Sequence, residues 1–155
     1  MAADIPFDFL NFIGLFLFIA GFVVGLGAVT VIEFHGLLGR KSSYWTEATI
    51  RAHKITKPLI WAGVFLAIIG GVIFYRRSNF IGIPLVQAVI AIILIANGYF
   101  LSFRVSPFLL EQEKEGKATE TLPTELQKKI TISFIISDLG WWGALILLVV
   151  YLLRR

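Results

Sequence analysis

The chain has 155 residues, 57% of them apolar and only 15% charged, against about 25% charged in soluble domains. A water-soluble fold of this length cannot cover so much apolar surface. The absence of cysteine excludes disulfides, thiolate metal sites and cysteine nucleophiles. The net charge of +4 comes from cations at the ends of apolar runs, where they set topology; no nucleic-acid motif accompanies them.

In chain order, the N-terminal Met1-Ala-Ala-Asp-Ile-Pro-Phe-Asp8 lacks the positive region of a cleavable signal, and the run behind it is too long for a signal core. It reads as a retained first helix. Apolar runs from Phe7 to Ile32, Pro58 to Tyr75, Ile81 to Phe103 and Ile130 to Leu153 each approach the ~20 residues that a bilayer crossing needs. The expectation is an all-α, four-helix transmembrane bundle with spans at about 7–35, 55–76, 80–104 and 128–153, as a single domain. Arg40-Lys41, Arg76-Arg77, Arg104 and Arg154-Arg155 mark the span ends, with Tyr75, Tyr99, Phe103 and Tyr151 as interfacial aromatics.

Between the first two spans, Ser42-Ser43 offers an N-cap for a stretch that extends the second helix through His53, and Pro58 is placed to kink it. The loop from Glu111 to Thr121 is charged and flexible. Thr124 and Gln127 have capping-box spacing for the last helix. One side of the membrane receives Arg76, Arg77, Arg154 and Arg155, and the other the remaining ten of the 14 cations. The positive-inside rule then puts the two larger loops in the cytoplasm and both termini outside, in a cell's inner membrane.

Within the spans, the costly residues inform most. A charge at the bilayer centre costs at least roughly 2.5–3.5 kcal/mol, and Asp138 lies about 5 Å from the midpoint of its run by helical rise. Asn97 is at comparable depth on the third span, so a contact between the two is expected. Asp138 is either a proton or cation site, as in a small dimeric proton-coupled transporter, or a protonated carboxyl acting as interhelical glue. Gln87 is expected to make another interhelical hydrogen bond.

His35 ends the first span and His53 begins the second, each roughly 20 Å from the midplane by helical rise. Their matched depth is the minimum for bis-histidine ligation of a metal, haem or related tetrapyrrole; the other reading is two interfacial histidines facing headgroups. Glu33 points to a different face from His35. Gly21-x-x-x-Gly25 is a close-approach face for an internal helix or a second copy in a homodimer. Gly140 and Gly143 flank Trp141-Trp142 as a packing notch or a slot for a planar ring. Hydrolase triads, nucleotide-binding glycine loops and HExxH are absent, which leaves membrane binding or assembly without chemistry as the competing class.

The segments from Gly21 to His35 and from Arg51 to Gly71 resemble the small membrane proteins of the CopD and HemJ type. Shared features are a glycine-containing first span ending near a histidine, a basic start to the second helix, and a proline ahead of a glycine-ended span. The resemblance implies a haem- or porphyrin-linked oxidoreductase for the HemJ type, or copper handling for the CopD type. Asn11 and Gly14 stand near where the HemJ type has a first-span histidine, Gln87 replaces its third-span lysine, and the only methionine is Met1.

Overall fold

The structure, a computed structural model, describes residues 8–39, 42–117, 119–120 and 122–154. Asp4, Phe7, the Arg40-Lys41 stop, Ala118 and Thr121 of the charged loop, and Arg155 lie outside the described residues. The described chain is all-helical, and four of its helices are long and apolar enough to cross a membrane.

The elements are α1 (Phe9–Gly39), α2 (Ser43–Phe74), α3 (Ile83–Phe100), a π-helical turn (Leu101–Val105), α4 (Ser106–Lys114) and α5 (Thr124–Leu153). Several ends differ from the sequence expectation. The first helix runs on to Gly39, whereas α2 starts at Ser43, as Ser42-Ser43 led one to expect, and continues past Pro58 to Phe74. Ser42 sits at the N-cap without a side-chain cap bond. Instead Thr46 Oγ1 donates to the Gly39 carbonyl at 2.7 Å, stapling α2 to the end of α1.

The third span also outlasts its expected end at Arg104, continuing as a helical rod from Ile83 to Lys114. The reason is local. Pro107 has no N–H for the carbonyl one turn back, and its ring crowds that carbonyl; the wider π turn ahead of it accommodates the mismatch without ending the helix. The capping box does not form at α5: Pro123 occupies the N-cap, and Gln127 Nε2 donates to the Leu122 carbonyl at 2.7 Å.

α1 and α2 form an antiparallel hairpin with their backbones in contact. A Cβ added at Gly21 would overlap the backbone of Gly63 and Ala67, one at Gly63 the backbone of Gly25, and one at Gly70 the backbone of Phe18. Such small-residue faces are how helices adhere in lipid, where no hydrophobic drive pushes them together. α5 joins the hairpin through side chains seated on glycines, Trp141 on Gly25 and Phe134 on Gly36. Trp141 is buried and meets Phe22 edge-on at 5.9 Å. Gly140 faces Leu94 of α3, whereas a Cβ at Gly143 would meet nothing.

At the end opposite the α1–α2 turn, Asp8 clasps the start of the next connection, 2.7 Å from Arg76 and 3.0 Å from Arg77. The hydrogen bond from Arg76, with help from the Asn11 backbone N–H, holds the Asp8 carboxyl below its ordinary value. Its stabilisation is complete above that ordinary value of 3.8 and is lost as pH falls through the depressed one. Asp8→Asn should therefore flatten the acid limb of a detergent melting curve below about pH 5, and an unchanged limb would show the clasp to be energetically silent.

Gly63→Val should cost about 1–3 kcal/mol by overpacking, measured as a fall in thermal midpoint in detergent. Gly143→Ala, where a methyl meets open space, should leave the midpoint in place.

Candidate ligand chamber

The tight α1–α2 pair leaves room on its other side. A chamber of about 120 Å³ lies among α1, α2, the α3–α4 rod and α5, toward the end that carries the α1–α2 turn. Helical spacing aims its polar wall. His53, Lys57 and Trp61 follow at four-residue intervals on one face of α2, and Glu33 shares the inward face of α1 with Val29, Ile32 and Gly36.

Among the described residues, Glu33 Oε1 and His53 Nε2 are the buried side-chain polar atoms that make no hydrogen bond, and both residues line this chamber. Lys57 Nζ reaches the Ser102 carbonyl at 3.3 Å and Ser106 Oγ at 3.4 Å, across to the π turn. An ammonium has three protons, so one remains for the chamber. Trp61 Nε1 donates to Ser102 Oγ at 3.0 Å. The turn that Pro107 imposes thus presents Ser102 to two α2 side chains at once.

An apolar cluster lines the chamber toward the turn, Ile50, Val105 and Leu109, backed by Leu122, Leu126 and Ile130, and Gly39, Thr46 and Thr49 continue the lining beyond it. Outside it, Lys54 pairs with Glu113 at 2.7 Å, tying α2 to α4. On the other side, the chamber adjoins a second one of about 300 Å³ between α2 and α3, and Val64, Leu94 and Trp141 line both.

The two histidines part company. His53 faces the chamber, but His35 does not line it; its Nδ1 bonds the Val31 carbonyl at 2.8 Å and its ring meets Trp45 edge-on at 5.4 Å. Their equal depth does not give them a common face. Among the described residues no group of three or more His, Cys, Asp or Glu is arranged to hold a metal ion.

Asn97 turns its amide to α5, donating to the Ser133 carbonyl at 2.8 Å and Ser137 Oγ at 3.0 Å. Asp138 stands instead close enough to Glu33 to act on it electrostatically. Gln87 donates to the Ala144 carbonyl at 2.8 Å and accepts from the Tyr75 hydroxyl. These bonds tie α3 to α5 and to the end of α2. Gly21 and Gly25 are buried against α2 and Trp141, so their face is used within the chain.

No protein family, curated protein or solved structure matches this chain. The site is therefore read from its own geometry. Glu33, Lys57 and Trp61 are the chamber residues that inspection of the sequence passed over. For Glu33 the signal was the glycine row, and for Lys57 and Trp61 the four-residue intervals that lead to them from His53. Continued along α1 by three and four residues, Gly21 and Gly25 lead to Val29, Ile32 and Gly36, with Glu33 beside them and His35 turned away.

Asn97→Leu should cost about 0.6–1.7 kcal/mol, the usual worth of a hydrogen bond between transmembrane helices, read from unfolding in mixed micelles. A loss below that range would mean that the α3–α5 contact holds without it.

Proposed function

We propose that this chain is a multi-pass inner-membrane protein that binds a small polar-headed molecule in the inner chamber. In this reading both termini lie outside and the two longer connections face the cytoplasm, following the ten-to-four division of cations. The observation that carries the proposal is the pair of unbonded buried atoms, Glu33 Oε1 and His53 Nε2, on the walls of one cavity. Leaving such a buried atom unsatisfied costs about 1–3 kcal/mol, a cost that a guest's polar groups would relieve. A carboxyl, an imidazole and the Lys57 ammonium around one space can accept and donate hydrogen bonds to the same guest.

The test is recovery of the guest. Protein purified from membranes in mild detergent should yield, on organic extraction and mass spectrometry, a small molecule near one per chain. A Glu33→Gln, His53→Leu double variant should retain at least about tenfold less, equivalent to 1.4 kcal/mol. Equal recovery from both would refute the assignment. Tags in the 104–128 connection should be reachable only from the cytoplasm.

The free Nε2 of His53 favours a second reading, ligation of haem, a related tetrapyrrole or a metal ion, to which the CopD and HemJ resemblance also points. With His35 bonded elsewhere, this reading rests on one imidazole, with Glu33 beside it. A visible spectrum of the purified protein without a Soret band, together with no metal by mass spectrometry, would remove it.

A further inference from the structure

The two chambers share walls but differ in chemistry. Val64, Leu94 and Trp141 form a waist between them. On one side of it stand Glu33, His53 and Lys57. The other side is lined almost wholly by apolar side chains from α1, α2, α3 and α5, with Gln87 and the Tyr75 hydroxyl already bonded to each other. Its outward rim is exposed to the surrounding hydrocarbon: Val72 is 65% exposed, Phe80 54% and Ile92 66%. α2 and the third rod are tied by Trp61 to Ser102 and by Tyr75 to Gln87, and the outer chamber lies between those ties.

We propose that the guest is a quinone-type lipid, a flat ring bearing carbonyl or hydroxyl oxygens on an apolar tail, which enters from the bilayer between α2 and α3. This rests on the chamber reading above and specifies its ligand. Volume is the first argument. At 120 Å³ the inner chamber is smaller than the roughly 300–1,000 Å³ of ordinary small-molecule sites, and only together with the 300 Å³ outer chamber does it come within that range.

Chemistry is the second. The remaining Lys57 proton and a protonated His53 Nε2 can donate to a carbonyl, and Glu33 can accept from a hydroxyl. The walls suit a ring, with the indole of Trp61 set against Gly98, where an added Cβ would be in van der Waals contact at 3.5 Å. Among the described residues that line the outer chamber, the polar side chains Tyr75 and Gln87 are bonded to each other, which leaves a tail an apolar wall. Access is the third argument, because the outer chamber's rim at Val72, Phe80 and Ile92 opens on the hydrocarbon between α2 and α3.

The test uses a decyl-substituted benzoquinone with a diazirine at the end of its tail, photolysed with the protein in phospholipid nanodiscs. Adducts mapped by mass spectrometry should concentrate on Ile68, Val72 and Ile92 over the lipid-facing Val89 and Val149. They should fall about tenfold, or 1.4 kcal/mol, in Lys57→Met, which removes a donor to the head, and in Leu94→Trp, which fills the waist. Leu94→Phe serves if the larger ring prevents folding, judged by circular dichroism and elution volume.

Labelling that is unchanged in Lys57→Met would mean that the groove takes any chain, as it would a phospholipid, and would overturn the proposal. Labelling spread evenly over all lipid-facing positions would overturn it as well. A benzoquinone without a tail separates this failure from that of the chamber reading. If it quenches tryptophan fluorescence saturably, and Lys57→Met abolishes the effect while tail labelling stays even, the inner chamber keeps its role and the lipid route falls. If neither probe binds, the quinone-type ligand is refuted, and guest recovery from the Glu33→Gln, His53→Leu pair still decides the chamber.

Discussion

Helices immersed in hydrocarbon gain nothing from hiding apolar surface from one another, because lipid tails solvate leucine as well as leucine does. Adhesion then depends on how closely backbones approach and on the polar bonds that cross between helices. In this protein the first condition is met almost entirely by α1 and α2, where Gly21, Gly25, Gly63 and Gly70 bring the two backbones into direct contact. The second is met mainly by α3, which Asn97 and Gln87 fasten to α5. The rest of the architecture follows from this unequal division.

A hairpin fused along one face must turn its adjoining faces to whatever remains. α5 reaches the hairpin with two large rings, Trp141 and Phe134, each resting on a glycine of α1. The α3–α4 rod reaches α2 by hydrogen bonds at separated points rather than by a continuous seam. Rings on glycines and point ties hold helices in place while keeping their axes apart, so the space between α2 and α3 is a product of how the bundle is joined. The π turn contributes in the same way: it keeps the third rod helical past Pro107 and delivers Ser102 and Ser106 to Lys57.

Much of the fold was legible because hydrocarbon imposes a length and a composition on every crossing helix. The four runs and the close-approach role of Gly21 and Gly25 needed nothing more. Helix ends were less evenly legible: the start of α2 at Ser43 could be read from Ser42-Ser43, whereas the continuation of the third rod to Lys114 is supported by contacts such as Lys54 with Glu113, which composition does not announce. For the site, depth along the chain proved a weaker guide than angle around the helix. His35 and His53 were paired by depth, yet only His53 lies on the face that looks inward. Glu33 was set aside because it diverges from His35, and that same divergence turns it toward the chamber.

Toward the waist the lining of the hollow turns apolar on three helices. Along α2 the inward face passes from His53, Lys57 and Trp61 to Val64, Ala67 and Gly71; along α1 from Glu33 through Ile32 and Val29 to Phe22 and Phe18; along α5 from Ser137 through Trp141 to Ala144. Packing alone does not require this agreement, since each helix could exchange a polar inward residue for an apolar one without disturbing its glycine contacts. Charged and ionisable groups inside a bilayer are expensive and, where they occur, face the bundle interior or a cavity. Three such groups gathered on one side of a shared waist, with a nearly unbroken apolar lining on the other, make the hollow an amphiphile's negative image and place its polar end away from the lipid.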